Sequence, residues 1–213
     1  MVTLVLKDLL VQKKLLGLEL AYILVLSYAF RTMGEWLPLS IISTVGFMFV
    51  ILSGAWDDRA SADRLWNSLP VPKWQIVGSR YLAVFVWTAL AAVLTCIALV
   101  VLPKLGFPTT SEGVSLDKAA AGVGTVMVLT SIFLPVYFAF GYTKSRVLNI
   151  LVFTSSISLA GMVSNFMAGR PAWVEAVAQI GSFSMWGAST FVVILLLALS
   201  FALSLKLYQR REF

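Results

Sequence analysis

Long apolar runs dominate this chain of 213 residues and limit what it can fold into. A helix needs about 20 mainly apolar residues to cross about 30 Å of hydrocarbon. Six such stretches occur, at residues 15–31, 37–56, 81–102, 119–140, 147–168 and 187–207. They are continuous rather than alternating, which argues against the strands of a membrane barrel. The sequence predicts an all-α integral membrane protein, with six transmembrane helices in a single domain over residues 1–213.

Composition agrees with this fold class and removes several kinds of chemistry. The chain is 60% apolar and 12% charged, whereas soluble domains are about 45–50% apolar and about 25% charged. It has no His, which excludes Ser-His-Asp catalysis and histidine metal sites. Its single cysteine, Cys96, lies in an apolar run and forms no intrachain disulfide. We expect no enzyme activity, metal or cofactor in this chain.

The distribution of basic residues predicts how the chain is oriented. Twelve Lys and Arg residues fall on the side that holds both termini and the 56–80 and 141–146 loops, and four fall on the other side. Short cytoplasmic loops carry the excess of basic residues in membrane proteins. Both termini and the 56–80 loop are therefore expected in the cytoplasm. The net charge is +6, and the basic residues lie at the ends of apolar runs. This distribution indicates contact with membrane lipid and not with nucleic acid.

Two segments outside the spans are predicted to be interfacial helices. Residues 2–14 mix apolar and charged side chains and suit an N-terminal elbow helix in the cytoplasmic interface, with a cytoplasmic extension of the first span as the alternative. Residues 169–186 combine Pro171 with apolar residues at helical spacing. We expect a short outer helix there, with Trp173 and Trp186 as interface anchors.

The 56–80 loop is the longest predicted cytoplasmic segment. Asp57 and Asp58 can begin a short helix, where negative charge is favourable, and Pro70 can end it. Its apolar edge would consist of Leu65, Trp66 and Leu69. An exposed Trp and Leu edge suits contact with a soluble protein. The alternative is an ordinary interfacial loop with an aromatic anchor.

A few polar residues lie inside the predicted spans. Glu19 is the only acid in an apolar run, and intramembrane acids commonly have a functional role. In the fifth span, Thr154, Ser158 and Asn165 fall on one helix face. These four residues are candidates for a substrate pathway. The alternatives are helix packing for the fifth-span residues and a structural role near the interface for Glu19.

The chain resembles bacterial type-2 ATP-binding-cassette (ABC) exporter permeases, and the loop carries the resemblance. The family often shows a Ser-Leu-Pro-Val element, a basic residue, and then a basic-Tyr-Leu entry to the third span. The matching residues are Ser68, Leu69, Pro70, Val71, Lys73, Ile76, Val77, Arg80, Tyr81 and Leu82. The start, with Leu6, Lys7 and Asp8, and the end, with Ser204, Lys206, Tyr208, Arg210, Arg211 and Phe213, are also similar to the family.

This resemblance implies partners and a role for the loop. Two six-span permease subunits, here expected to be a homodimer, would form the pathway in a bacterial cytoplasmic membrane, and two cytoplasmic ABC ATPase subunits would drive it. The 57–69 segment would be the coupling helix that contacts the ATPase. Its candidate contact residues are Asp57, Asp58, Arg59, Arg64, Leu65, Trp66, Ser68, Leu69 and Pro70. The sequence has no GxxxxGK[ST] phosphate loop, so ATP and Mg²⁺ are expected on the partner subunit.

The resemblance also leads to an expectation about the cargo, because the chain is compact. It resembles the short family members that export amphipathic peptides, such as phenol-soluble modulins, or confer immunity to antimicrobial peptides. Three alternatives remain open at this point. Two are transporters, namely an exporter of lipids or drugs with the same architecture and a substrate-binding membrane subunit of a vitamin importer. The third is a structural or assembly membrane protein with no transport role.

Overall fold

The computed structural model describes residues 16–30, 34, 36–59, 72–107, 115–142, 145 and 182–210. Within these ranges the chain forms helices and no strand. The helices are α1 (Leu16–Ala29), α2 (Leu37–Arg59), α3 (Lys73–Lys104), α4 (Leu116–Phe140) and α5 (Ser182–Arg210). The prediction of an all-α fold is confirmed for this part of the chain.

Helix length separates α1 from the other four helices. In the described ranges, α2, α3, α4 and α5 are long and apolar enough to cross a membrane. The 14 residues of α1 cover only about 21 Å at 1.5 Å per residue, which is less than the hydrocarbon thickness. The predicted 147–168 span lies outside the described residues, as do the 2–14 elbow and residues 169–181. The described helices therefore account for four of the six predicted spans.

Three predicted helix boundaries differ from the observed ones. α2 continues to Arg59 instead of ending at residue 56, and α3 begins at Lys73 instead of residue 81. α5 begins at Ser182, so residues 182–186 belong to it and not to a separate outer helix. Hydropathy marks where a helix leaves the lipid, whereas a helix pairs its own backbone groups and can continue into the interface. Pro72, with extended backbone angles, precedes the first turn of α3.

α2 is the central helix of the bundle. One of its faces, which includes Phe47 and Val50, packs into an apolar cluster with α3, α4 and α5. Another face, which includes Val45 and Phe49, packs into a second cluster with α1 and α3. In the second cluster the Phe49 ring stacks on Trp87 of α3, with centroids 5.1 Å apart. Any shift of α2 therefore disturbs both clusters.

Two glycines allow α2 and α4 to approach each other closely. A Cβ atom added at Gly122 would lie 3.0 Å from Cβ of Ile42 and 3.2 Å from Cα of Leu39. A Cβ atom at Gly46 would lie 3.0 Å from a methyl group of Val126. Small residues at a helix interface permit such contact in membranes, where van der Waals packing holds helices together.

α5 exposes most of its surface. Only 11% of the most apolar segment of α5 is buried, whereas 61% of the corresponding segment of α2 is buried. The exposed side chains are large and apolar, among them Phe191, Ile194, Leu199 and Leu203. In a membrane, this face contacts lipid or another protein subunit.

The close approach of α2 and α4 predicts different effects at two neighbouring glycines. Gly122→Ala should lower the free energy of unfolding by about 1–3 kcal/mol, because the new methyl group overlaps α2. Gly124→Ala is the matched control, since a Cβ atom there meets nothing within 4 Å. It should change stability by less than about 1 kcal/mol. The free energies of unfolding of both variants can be measured in mixed detergent micelles. An equal loss of stability in the two variants would contradict this account of the interface.

Candidate functional site

A buried ion pair joins the end of α2 to the beginning of α3. The Arg80 guanidinium pairs with the Asp57 carboxylate, and these side chains are 10% and 12% exposed. The same guanidinium donates a hydrogen bond to Ser53 Oγ. Its central carbon lies 5.8 Å from the centre of the Tyr137 ring on α4. The arrangement links three helices at the end of the bundle that carries the 60–71 connection, called here the loop end.

The positions of these residues along their helices explain why the pair forms. Ser53 and Asp57 are four residues apart and so lie on the same face of α2. Arg80 shares the buried face of α3 with Val77 and Val84, which are three and four residues away. The apolar residues that bury this face of α3 thereby carry Arg80 inward. A buried charge is costly without a counter-ion, and Asp57 supplies one.

A chain of hydroxyl groups joins α3, α4 and α5 beside the ion pair. The Ser200 hydroxyl donates to the backbone carbonyl oxygen of Ser131, 2.7 Å away. This bond uses the only hydroxyl hydrogen of Ser200, so the Ser200 oxygen accepts a hydrogen bond from the Tyr81 hydroxyl, 2.6 Å away. Tyr81 in turn accepts from Ser204 at 2.9 Å. Every hydrogen of this buried chain is donated, so the three helices are held in one register.

Lys73 adds a further contact between α3 and α5 at the loop end. Its ammonium group donates to the backbone carbonyl oxygen of Gln209, 3.4 Å away. It also lies 5.8 Å from the centre of the Tyr208 ring, close enough for a cation–π contact. The 60–71 connection therefore leaves and re-enters the bundle between helix ends that polar contacts hold together.

The structure revises part of the predicted coupling segment. Asp57, Asp58 and Arg59 form the last turn of α2 and do not begin a separate helix. The Asp57 side chain is directed into the bundle by its pairing with Arg80, while Asp58 is exposed. The remaining candidates lie outside the described residues, and their role stays a prediction; they are Arg64, Leu65, Trp66, Ser68, Leu69 and Pro70.

Glu19 is the one candidate of the predicted pathway that the structure describes. Its side chain is 5% exposed and lies in a crevice between α1 and α2. Neither carboxylate oxygen has a hydrogen-bond partner among the described residues. Thr154, Ser158 and Asn165 lie outside the described ranges, and their role in a pathway stays a prediction. The described acidic and cysteine side chains do not gather into a group that could bind a metal ion.

Sequence reasoning did not assign a role to Arg80 or to the Tyr81 hydroxyl chain. It placed Arg80 among the basic residues of a cytoplasmic loop, whereas Arg80 lies in α3 and is buried. The helical spacing of Val77, Arg80 and Val84 is the signal that places Arg80 on an apolar face. Ser200 and Ser204, four residues apart, are the corresponding signal on the last helix.

A comparison with protein families decides what kind of protein carries this arrangement. A family model described as "ABC-2 family transporter protein" matches residues 3–209. The chain belongs to this family. It is therefore the membrane component of an ABC-2 transporter, which confirms the resemblance to type-2 permeases. No significant match was found among curated proteins or among solved structures.

The ion pair predicts that neighbouring aspartates respond differently to loss of charge. Asp57→Asn should lower the free energy of unfolding by about 3 kcal/mol, because it leaves the Arg80 charge buried without its counter-ion. Asp58→Asn is the matched control on the exposed side of the same turn and should cost less than about 1 kcal/mol. Thermal unfolding of the purified variants in detergent gives the comparison. A wild-type midpoint for Asp57→Asn would show that the pair does not stabilise this permease.

Proposed function

We propose that this chain is the permease subunit of an ATP-driven exporter and that a separate cytoplasmic subunit hydrolyses the ATP. The observation that carries the proposal is the family match over residues 3–209. The sequence adds that the chain has no GxxxxGK[ST] loop for binding the phosphates. ATP and Mg²⁺ then belong to the partner, and the chemical step takes place outside this chain.

The proposed route for mechanical coupling is the 57–69 segment. Arg64, Leu65, Trp66, Ser68, Leu69 and Pro70 would contact the ATPase, with Asp58 and Arg59 beside them at the end of α2. Asp57 would act differently, since its side chain is paired with Arg80 inside the bundle. Because that ion pair joins the two helix ends that flank the segment, a push on the segment would move α2 and α3 together.

The proposed assembly follows the ABC-2 architecture. Spans at residues 15–31 and 147–168 would complete six spans, with both termini in the cytoplasm of a bacterial cell. Two copies of the permease would form the pathway with two ATPase subunits. The exposed apolar faces of α3 and α5 support an arrangement in which lipid or a second copy covers them.

The proposed cargo is an amphipathic peptide. Among the described residues, the buried charged side chains are Glu19 and the Asp57–Arg80 pair. An apolar pathway with a single unpaired acid suits a cargo that is largely apolar and carries positive charge.

A pull-down from the native membrane tests the assembly. Tagged wild-type protein should bring down an ABC ATPase in stoichiometric amount, and Trp66→Ala should reduce the amount at least about tenfold, as expected for a central aromatic contact. Trp186→Ala, which truncates an exposed Trp on α5, is the control and should leave the ATPase bound. Undiminished ATPase with Trp66→Ala would rule out this placement of the contact. Wild-type protein without any ATPase would rule out the exporter assembly itself.

Transport in proteoliposomes tests the cargo. The permease reconstituted with its ATPase should move a lysine-containing amphipathic peptide and should hydrolyse ATP faster when the peptide is present. Lipid analogues and neutral dyes should be moved more slowly. A mixture with a catalytically inactive ATPase gives the background rate. Peptide transport no faster than lipid or dye transport would refute the peptide assignment.

A further inference from the structure

Glu19 is a buried acid for which the described part of the chain provides no counter-ion. The residue is 5% exposed, and neither carboxylate oxygen has a hydrogen-bond partner in that part. An ionised carboxylate in such surroundings is strongly destabilised unless a positive charge is nearby. A proton on the carboxylate or a cation from outside the bundle would relieve this destabilisation.

The described residues around Glu19 offer it no cationic partner. The crevice is lined by Tyr22 on α1 and by Val45, Met48, Phe49 and Leu52 on α2. Apart from the Tyr22 phenol, these side chains are apolar. The buried cation of α3, Arg80, does not line this crevice; it pairs with Asp57 and donates a hydrogen bond to Ser53. Glu19 and Arg80 are thus separate charged sites.

The chemistry of the crevice favours an organic cation over a metal ion. Calcium takes six to eight oxygen ligands, and magnesium takes six at short distances. One carboxylate and one phenol cannot provide these. Aromatic rings beside a carboxylate suit an ammonium group, because the ring faces attract cations. Tyr22 and Phe49 are such rings, and the stacking of Phe49 on Trp87 fixes its orientation.

The size and position of the crevice further restrict which ligands can bind there. It is small, with room for a group about the size of one water molecule. This admits a primary ammonium group and excludes a bulky aromatic cation. Since α1 and α2 are apolar helices, the remainder of the ligand would lie along apolar surface. The ligand is therefore an amphiphile with a primary ammonium group.

We propose that Glu19, together with Tyr22 and Phe49, binds the primary ammonium group of a membrane amphiphile. The ammonium group can come from a lysine side chain or N-terminus of a peptide, or from the headgroup of a lipid. As a cargo site it rests on the proposed export function. Binding of the ammonium group itself requires neither ATP nor the ATPase, so it can be tested separately.

The test uses the full chain in phosphatidylcholine nanodiscs, which contain no primary ammonium lipid. The probe is a long-chain alkylamine with a photoreactive group in its chain, and labelled peptides are identified by mass spectrometry. Saturable labelling of α1 and α2 is expected near Tyr22 and Met48. Glu19→Gln should raise the probe concentration needed for half-saturation at least about tenfold, because a charge-assisted contact is lost. Glu19→Asp, which keeps the charge, should retain part of the binding.

Two controls separate the site from general effects. Asp117→Asn removes one negative charge from the first turn of α4 and should label like wild type. The alcohol of the same chain length should show no saturable labelling. Glu19→Gln should also unfold no more easily than wild type, since it removes an unpaired buried charge. Labelling unchanged by Glu19→Gln, or equal labelling by amine and alcohol, would overturn the proposal and leave a protonated side chain.

Competition identifies the source of the ammonium group. Displacement of the probe by phosphatidylethanolamine in the nanodisc would support a lipid ligand. Displacement by a lysine-containing amphipathic peptide, and not by its amine-acetylated form, would support the cargo. Failure of both competitors would refute the natural ligands named here. Saturable labelling of a chain that captures no ATPase would keep the ammonium site and refute only the export function.

Discussion

The Asp57–Arg80 ion pair is the contact on which the loop end of this bundle depends. It lies where two helices leave the apolar interior and a connection of about a dozen residues joins them, between Arg59 and Pro72. In a low-dielectric environment, attraction between two buried charges is strong, but so is the cost of leaving either one alone. The pair therefore holds α2 and α3 together, because moving α2 away from α3 would leave each buried charge without its counter-ion.

The other polar contacts of the loop end extend this constraint around the bundle. The Tyr81 hydroxyl chain reaches α4 and α5, and Lys73 reaches the end of α5. The middle of the bundle is held differently, by apolar clusters and by the close approach at Gly46 and Gly122. Apolar packing tolerates small sliding movements better than a fully satisfied hydrogen-bond chain does. The loop end is thus held together as one body, as the proposed coupling role of the 57–69 segment requires.

The sequence predicted the helical membrane fold because the length of an apolar run directly reflects the thickness of the bilayer. It did not predict the ends of α2 and α3, since a helix continues as long as its backbone pairs internally, whatever its side chains contact. The partner of Arg80 was also hidden, because it depends on how two helices are rotated against each other. Glu19 was recognised as an acid within a span, but only the placement of α2 beside it shows that the described residues give its carboxylate no hydrogen-bond partner.

Arg80 and Glu19 show two different solutions to a charge in an apolar bundle. Arg80 is neutralised within the chain, and its surroundings include a carboxylate, a hydroxyl and an aromatic ring. Glu19 has aromatic and apolar neighbours but no cation among the described residues. A structural charge gains stability from a permanent partner, whereas a binding site must leave its charge available and accept a cost in stability. By this criterion Arg80 belongs to the structural framework of the bundle, and Glu19 has the surroundings expected of the ammonium site proposed above.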